Sequence, residues 1–343
     1  ADWMNLNGLW NYAITEASAE EFMTDGQILV PFALESSLSG VGKRITKDDA
    51  LWYEREFTVP KKWKGKNIIL HFGAVDWQAD VFVNGTPVGA HKGGFDPFSF
   101  DITPYLKKSG KQILTVKVQD ATDNSFQPRG KQCFINRGIW YTPVSGIWQT
   151  VWLEPVNPSH INNYYVVSDV DNSTMSFEVA ATVAEGDVVK VAVLEGGEGY
   201  SAEKPSNAVL AESVVVDGKA VVNIPDMKIW SPDSPYLYGI KVSVERNGKV
   251  IDSVDGYTAM RKISVVNDKS RNKYRRMALN NEIMFQFGPL DQGWWPDGLY
   301  TAPTDEALEF DVIKTKELGF NMIRKHIKVE PARWYYFCDL HGL

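Results

Sequence analysis

The sequence predicts a multidomain, mainly β protein: a jelly-roll β-sandwich, then an immunoglobulin-like β-sandwich, then the first βα units of a TIM (β/α)8 barrel. Three observations carry this. Up to about Val156 the chain runs in short stretches of alternating apolar and polar residues, broken by Gly, Pro and Asn. A second all-β run of roughly a hundred residues follows, the size of one immunoglobulin-like sandwich. After Ala278 the pattern changes to strand, helix, strand and the start of another helix.

The first segment, residues 1–156, shows strands at WYEREFTV, NIILHF, QILTVKV and TVWLEPV. In VFVNGTPV, Asn84 and Gly85 supply the positive-φ pair that a tight hairpin turn demands. Short helix-like breaks are confined to the neighbourhood of Thr103 to Leu106. Pro155, Asn157 and Pro158 mark the boundary with the next segment. Residues 157–265 then show strands at NNYYVVSDV, TMSFEVAATV, KVAVLE, KAVVNI, YLYGIKVSVE and KVIDSVDGYTAM, with turns at Asp217–Gly218 and Asn247–Gly248. No Cys, Trp, Cys arrangement of the antibody type is present, and no grouped titratable residues suggest chemistry there.

Residues 266–343 carry the change of period. Thr304 is placed as an N-cap, Asp305 and Glu306 favour the positive end of the helix dipole, and Leu308, Val312, Ile313 and Leu318 form an apolar stripe. Gly319 stops that helix, and Phe320–Ile323 reads as a short buried strand, so the order implies a parallel βα unit. Polar and aromatic residues gather after each strand: Asp291, Gln292, Trp294 and Trp295 after the first, Arg324, Lys325 and His326 after the second. The carboxyl ends of the strands are where α/β barrels place their chemistry.

Composition narrows the function classes. A formal net charge of -7 without a dense Lys/Arg tract argues against a nucleic-acid partner. No apolar run approaches the roughly 20 residues of a membrane span. The chain starts at Ala1 without Met, so a periplasmic or secreted location is expected if a leader was removed, and a cytoplasmic one otherwise. Cys133 and Cys338, far apart in sequence, are read as free buried thiols. The 12 Trp and 14 Tyr can fill β-sandwich cores, but exposed ones offer flat apolar faces with a polar handle, which suits the C–H faces and hydroxyl edges of sugars. His91, Asp96 and Asp101 are read as structural.

Seven stretches in order, LNGLWNY, VPFALESSLSG, LWYEREFTVP, VFVNGTPVGAHKGGFDPFSFDITPYL, SGIWQTVWLEPV, IWSPDSPYLY and LGFNMIRKH with WYYFCDLHGL, give the chain a family resemblance. It resembles the family 2 glycoside hydrolases, the group that includes β-galactosidases, β-glucuronidases and β-mannosidases. The resemblance implies that the loop Arg129–Tyr141 of the sugar-binding domain helps line the substrate pocket, with Trp140 and Tyr141 as sugar platforms. It also implies that Arg324 and His326 lie close to substrate, where an Arg can fork onto a carboxylate and a His can bond a hydroxyl. Two departures stand out. One residue, Lys325, separates Arg324 from His326 where the family has two, and Asp291, Trp294 and Trp295 stand where the usual stretch carries Asn and His.

Family 2 enzymes are retaining glycosidases, so the resemblance implies two carboxylates about 5–5.5 Å apart. Glu306, Glu309 and Glu317 fall on a helix surface and Glu282 and Glu330 in turns, so no catalytic residue is expected in this chain, and both glutamates are expected beyond residue 343. Some family members bind Mg or Na ions, but no carboxylate cluster at ligand spacing is present here, and no metal or other cofactor is expected. The expected partner is an oligosaccharide or glycoside substrate, and a homo-oligomer is left open. Two function classes follow: a β-galactosidase-like exo-glycosidase, with β-glucuronidase or β-mannosidase as variants, and a non-catalytic carbohydrate-binding or adhesion module. A barrel start discriminates between them, because a binding module has no use for one.

Overall fold

The computed structural model describes residues 2–201, 204–268, 270 and 274–343. By its contacts the chain divides into two compact units. The first comprises Ala1–Val156, Asp291–Leu308 and Lys325–Pro331, and the second Asn157–Leu290, Glu309–Arg324 and Ala332–Leu343.

In the first unit a six-stranded sheet runs in the order Gly26–Val30, Gly8–Glu16, Asp49–Phe57, Gln112–Gln119, Gln78–Val83, Thr86–Lys92. A four-stranded sheet runs Met4–Asn5, Val151–Val156, Asn67–Phe72, Phe98–Asp101. The alternation read from the sequence decides which side chains turn inward. Along Gln112–Gln119 every second residue is buried, and Tyr53 faces Val116, which faces Val81 in the next strand. Trp10, Tyr53, Val81 and Val116 of one sheet share a core with Leu70, Phe72 and Leu153 of the other. Each such burial contributes about 1.5–3 kcal/mol. Asn84 and Gly85 take φ of 53° and 79°, the left-handed pair that joins Val83 to Thr86 across the tight turn.

The second unit repeats the logic with a three-stranded sheet (His160–Asp169, Thr174–Thr182, Lys219–Asn223) and a four-stranded one (Val209–Val214, Asp187–Gly197, Leu237–Arg246, Lys249–Thr258). Met175 and Phe177 of the first share a core with Val191, Ile240 and Val242 of the second. Asp217–Gly218 and Asn247–Gly248 all take positive φ, as hairpin turns require. The strands Val209–Val214 and Ile263–Asn267 have no counterpart in the sequence reading. Ile263–Asn267 pairs with Arg275–Leu279, which pairs with Glu282–Ile283, so Glu282 lies in a strand and not in a turn.

Beyond Gly288 the chain makes one parallel pair, Leu290–Asp291 beside Arg324–Lys325. The N–H of Arg324 donates to Pro289 O at 3.0 Å and that of His326 to Asp291 O at 2.9 Å, in step along both segments as parallel strands require. Between them lies helix α1, Asp305–Glu317, and after them helix α2, Ala332–His341. Thr304 caps α1, its hydroxyl accepting the Ala307 N–H at 3.1 Å, and Gly319 follows its end at φ 85°. Three expectations are corrected here. Leu318 lies past the last turn and is 73% exposed, so the buried stripe is Leu308 and Val312. The segment Phe320–Ile323 is only half-buried and makes a backbone bond, Asn321 N–H to Phe287 O at 3.1 Å, before the strand proper begins at Arg324, which places Arg324, Lys325 and Asp291 within the strands rather than after them. Among the described residues there is one pair of parallel strands with two α-helices, and no closed barrel. Cys133, expected buried, is half-exposed, while Cys338 is buried.

Candidate functional site

Of the polar and aromatic residues singled out by sequence, all but Arg324, which belongs to the second unit, lie in the first unit, and several of them gather around the loop that leaves Asp291. Its backbone is stitched to the sandwich. Asp297 O accepts the Ser36 hydroxyl at 2.5 Å, and the Thr301 hydroxyl lies 3.0 Å from Pro31 O and 2.6 Å from Trp148 O. Trp295 and Leu299 exchange backbone hydrogen bonds at 2.8 and 3.0 Å, closing the loop on itself.

Beneath that loop lies a charged cluster. Asp291 Oδ1 accepts the Gly293 N–H at 2.7 Å, and Oδ2 faces Lys325 Nζ at 2.5 Å. Lys325 also reaches Glu330 at 2.8 Å, with all three side chains largely buried. Lys328 donates to Gly293 O at 2.6 Å, and its ammonium lies 4.0 Å from the Tyr300 ring centre and 5.4 Å from that of Trp294. Burial pulls the Lys328 amine down to about 7, helped by Lys325 and opposed by Glu330 and Asp291. Burial pushes Glu330 up, with Lys325 pulling the other way.

Above the cluster the rings assemble. Tyr141 stacks on Trp294 with centres 4.9 Å apart and planes 20° off parallel, and Trp294 meets Tyr300 edge-on at 5.4 Å. The Tyr141 hydroxyl donates to the side-chain amide oxygen Oε1 of Gln292. Trp140 is 39% exposed with the Arg129 guanidinium 5.6 Å from its ring centre.

Asp291, Trp294 and Tyr141 are therefore brought into one cluster, with Trp140 beside Tyr141 on the same loop. Trp295 is half-buried. Arg324 is exposed and His326 half-buried, on either side of Lys325. Asp291 is held by Lys325 and Gly293, so its carboxylate shapes the loop from beneath, with both oxygens engaged. Sequence reading named Gln292 and Lys325 among the polar residues at the strand ends and set Glu330 aside in a turn, but it passed over Lys328 and Tyr300. The only signal for Lys328 was the polar run KHIKVE that begins in the second strand. Among the described residues no group of three or more His, Cys, Asp or Glu is placed to hold a metal ion, and no helix is long and apolar enough to cross a membrane.

Two family models match adjoining stretches. Residues 42–158 match the sugar binding domain of glycosyl hydrolases family 2, and residues 159–261 match the domain described as glycosyl hydrolases family 2. A β-galactosidase of Thermoanaerobacter pseudethanolicus is 29% identical over 302 residues, covering 85% of this chain and 38% of that protein. A β-glucuronidase of Formosa agariphila is 26% identical over 302 residues, covering 82% of this chain and 30% of that protein. Among solved structures, a β-glucuronidase from Ruminococcus gnavus superposes with a TM-score of 0.80 at 20% identity, over all of this chain and 58% of that one. That likeness is one of fold. This chain spans between 30% and 38% of the length of the two sequence relatives.

Proposed function

We infer the activity from the premise that the chain belongs to the glycosyl hydrolases of family 2, which its two adjoining stretches both match. The chain supplies the sugar-binding jelly roll (1–156), the immunoglobulin-like sandwich (157–265) and the opening of the catalytic barrel (266–343) of a retaining exo-β-glycosidase. The reaction is β-galactosidase-like, releasing a terminal sugar from an oligosaccharide or glycoside. The observation that carries this reading is the Tyr141–Trp294 stack on a charged, rigidly held loop at a strand end, since stacked rings beside polar groups fit a sugar's apolar face and hydroxyl edge.

Asp291, Trp294, Trp295, Arg324, His326, Trp140 and Tyr141 are the residues assigned to substrate contact. The nucleophile and the acid/base are assigned to later barrel strands. Glu330, the buried acid nearest the loop, is bound to Lys325 and is a structural partner here. Phe285, Phe287, Leu290, Phe310 and Leu318 are 45% exposed or more, which supports a barrel in which further strands and helices cover them.

The test compares this chain with a form extended through the barrel on aryl β-galactoside, glucuronide, mannoside and glucoside. Hydrolysis of the galactoside with retention, by the extended form only, is expected. Preference for the glucuronide overturns the galactosidase reading, and sugar binding without hydrolysis in both forms favours the adhesion-module alternative.

A further inference from the structure

The first unit encloses the carboxyls of three acids that substrate contact does not use: Asp76 and Asp120, both buried, and Glu35, a half-buried residue whose Oε1 is shut off from solvent. Each holds a stem of one loop, residues 121–144, which carries Trp140 and Tyr141. On the incoming stem Asp120 Oδ1 accepts the Thr122 N–H and the Gln127 side-chain amide, both at 2.7 Å. On the outgoing stem Asp120 Oδ2 accepts the Ser145 hydroxyl at 2.7 Å, and Glu35 Oε2 accepts the Ser145 N–H at 2.8 Å. Asp76 Oδ2 accepts the Gln132 amide at 3.0 Å, and Gln132 Oε1 accepts the Val144 N–H at 2.6 Å, tying one stem to the other. Asp76, Asp120, Gln132 and Ser145 are all 1% exposed or less.

Beyond this clamp the loop is held by a few exchanges of its own, the Cys133 N–H donating to Tyr141 O and the Tyr141 N–H to Lys131 O, both at 3.0 Å, and the Phe134 N–H to Asp123 Oδ1 at 3.1 Å, rather than by a core. Phe126, Ile135 and Ile139 are 68% exposed or more and pack on little, so burial does not fix the loop's path. Thr122 and Lys131 sit at φ of 51° and 63°, left-handed conformations that persist only where the surroundings impose them.

We propose that Glu35, Asp76 and Asp120 are positioning residues that clamp both stems of this loop and thereby fix Trp140 and Tyr141 where a glycan meets them. The proposal rests on the glycosidase reading above for the word glycan, but not for the clamp.

The same geometry makes the clamp sensitive to pH. Glu35 Oε1 and Asp76 Oδ1 are enclosed with no hydrogen-bond partner among the described residues, an environment that favours neutral carboxyls. Burial pushes Glu35 up to about 8 and lifts Asp76 and Asp120, and the negative charge of Asp120 adds to the rise of both Glu35 and Asp76. The other titratable groups facing them are Tyr53, which feels Glu35, and Tyr300, which feels Asp76; burial raises both, so they stay neutral. Rising pH therefore gathers like charge in one enclosed place and loosens the stems.

The experiment is tryptic cleavage of the 343-residue chain after exposed Arg137 in the loop, expressed relative to cleavage after exposed Lys108 in a distant turn. Cleavage of a reclosing segment follows the population of its open form, so Gln127→Ala is expected to raise the ratio about tenfold at pH 7. In the wild type the ratio climbs from pH 7 to 9, and Glu35→Gln, which keeps an oxygen for the Ser145 N–H but cannot ionise, flattens that climb. A ratio unmoved by Gln127→Ala and flat with pH in the wild type overturns the clamp. So does an equal rise at Lys108, which means general unfolding. Quenching of tryptophan fluorescence by lactose separates the two layers. A loop that loosens in Gln127→Ala with lactose binding unchanged overturns its sugar-facing role, whereas a wild type that binds no lactose overturns the galactoside reading instead.

Discussion

Lys328 is 9% exposed, and its ammonium is held against the Tyr300 ring and the Gly293 carbonyl. In sequence it is one more lysine in a polar run, and nothing local marks it. What buries it is a loop some 35 residues earlier folding over it, a contact no periodicity encodes. Its amine falls from 10.5 to about 7. Between those values the unfolded chain holds a proton that the folded chain does not, so stability rises with pH across the window and is lost as pH falls through the folded value. Replacing Lys328 with Met removes this dependence. Wild-type stability minus that of Lys328→Met, from urea unfolding, is expected to climb by up to about 1.4 kcal/mol per pH unit between pH 7 and 10. Taking the difference cancels the buried acids, which both proteins share. Parallel profiles would mean that the amine keeps its ordinary proton affinity.

At the scale of elements, legibility follows the length of the repeating pattern. Gln112–Gln119 alternates over eight residues and its faces are evident from sequence, as are the hairpins at Asn84–Gly85, Asp217–Gly218 and Asn247–Gly248, where the turn chemistry is local. The two-residue strands Leu290–Asp291 and Arg324–Lys325 carry no such pattern. Their place is set by pairing alone, which is why the buried strand was expected a few residues early. Helix α1 was legible through its ends rather than its stripe. Leu318 breaks the stripe, but Thr304 and Gly319 stand where a cap and a stop are needed. Thr304→Ala leaves the Ala307 N–H without its side-chain acceptor, and loss of about 1 kcal/mol in urea unfolding is expected. Thr304→Ser, which keeps the hydroxyl, is expected to restore most of it, and failure of that rescue would assign the loss to the methyl group.

For the whole molecule, the sequence order suggests three consecutive pieces, yet Asp291–Leu308 and Lys325–Pro331 pack with the first 156 residues. The bonds responsible join residues far apart in sequence, such as Thr301 with Pro31, 270 positions apart, and Asp297 with Ser36, 261 apart, so their pairing was invisible before folding. The candidate site was legible to the same extent: the residue types at the strand end, Lys325 among them, were evident, but not Lys328 beneath them. This division gives each unit its own response to acid. The first encloses the carboxyls of Glu35, Asp76 and Asp120 with raised pKa values, a contribution fully present below the unfolded carboxylate range and lost as pH rises through the folded values. In the second unit, Arg246 holds Asp187 well below the usual carboxylate range, with a bond from its Nε to Oδ1 at 2.7 Å. That contribution is present above the unfolded value and fades as pH falls below it. Calorimetry from pH 3 to 7 is thus expected to show two transitions with different pH profiles. From pH 5 to 7 the first unit's midpoint falls, by roughly 3 °C for each kcal/mol lost, while the second's holds steady. Below about pH 4, the ordinary range of an aspartate, the second unit's midpoint falls, and the first's falls less, since among its described residues only the exposed Asp2 and Glu306 are lowered. Two midpoints that shift together, or a single transition throughout, would show that the buried acids and the Asp187–Arg246 pair do not act on separate units.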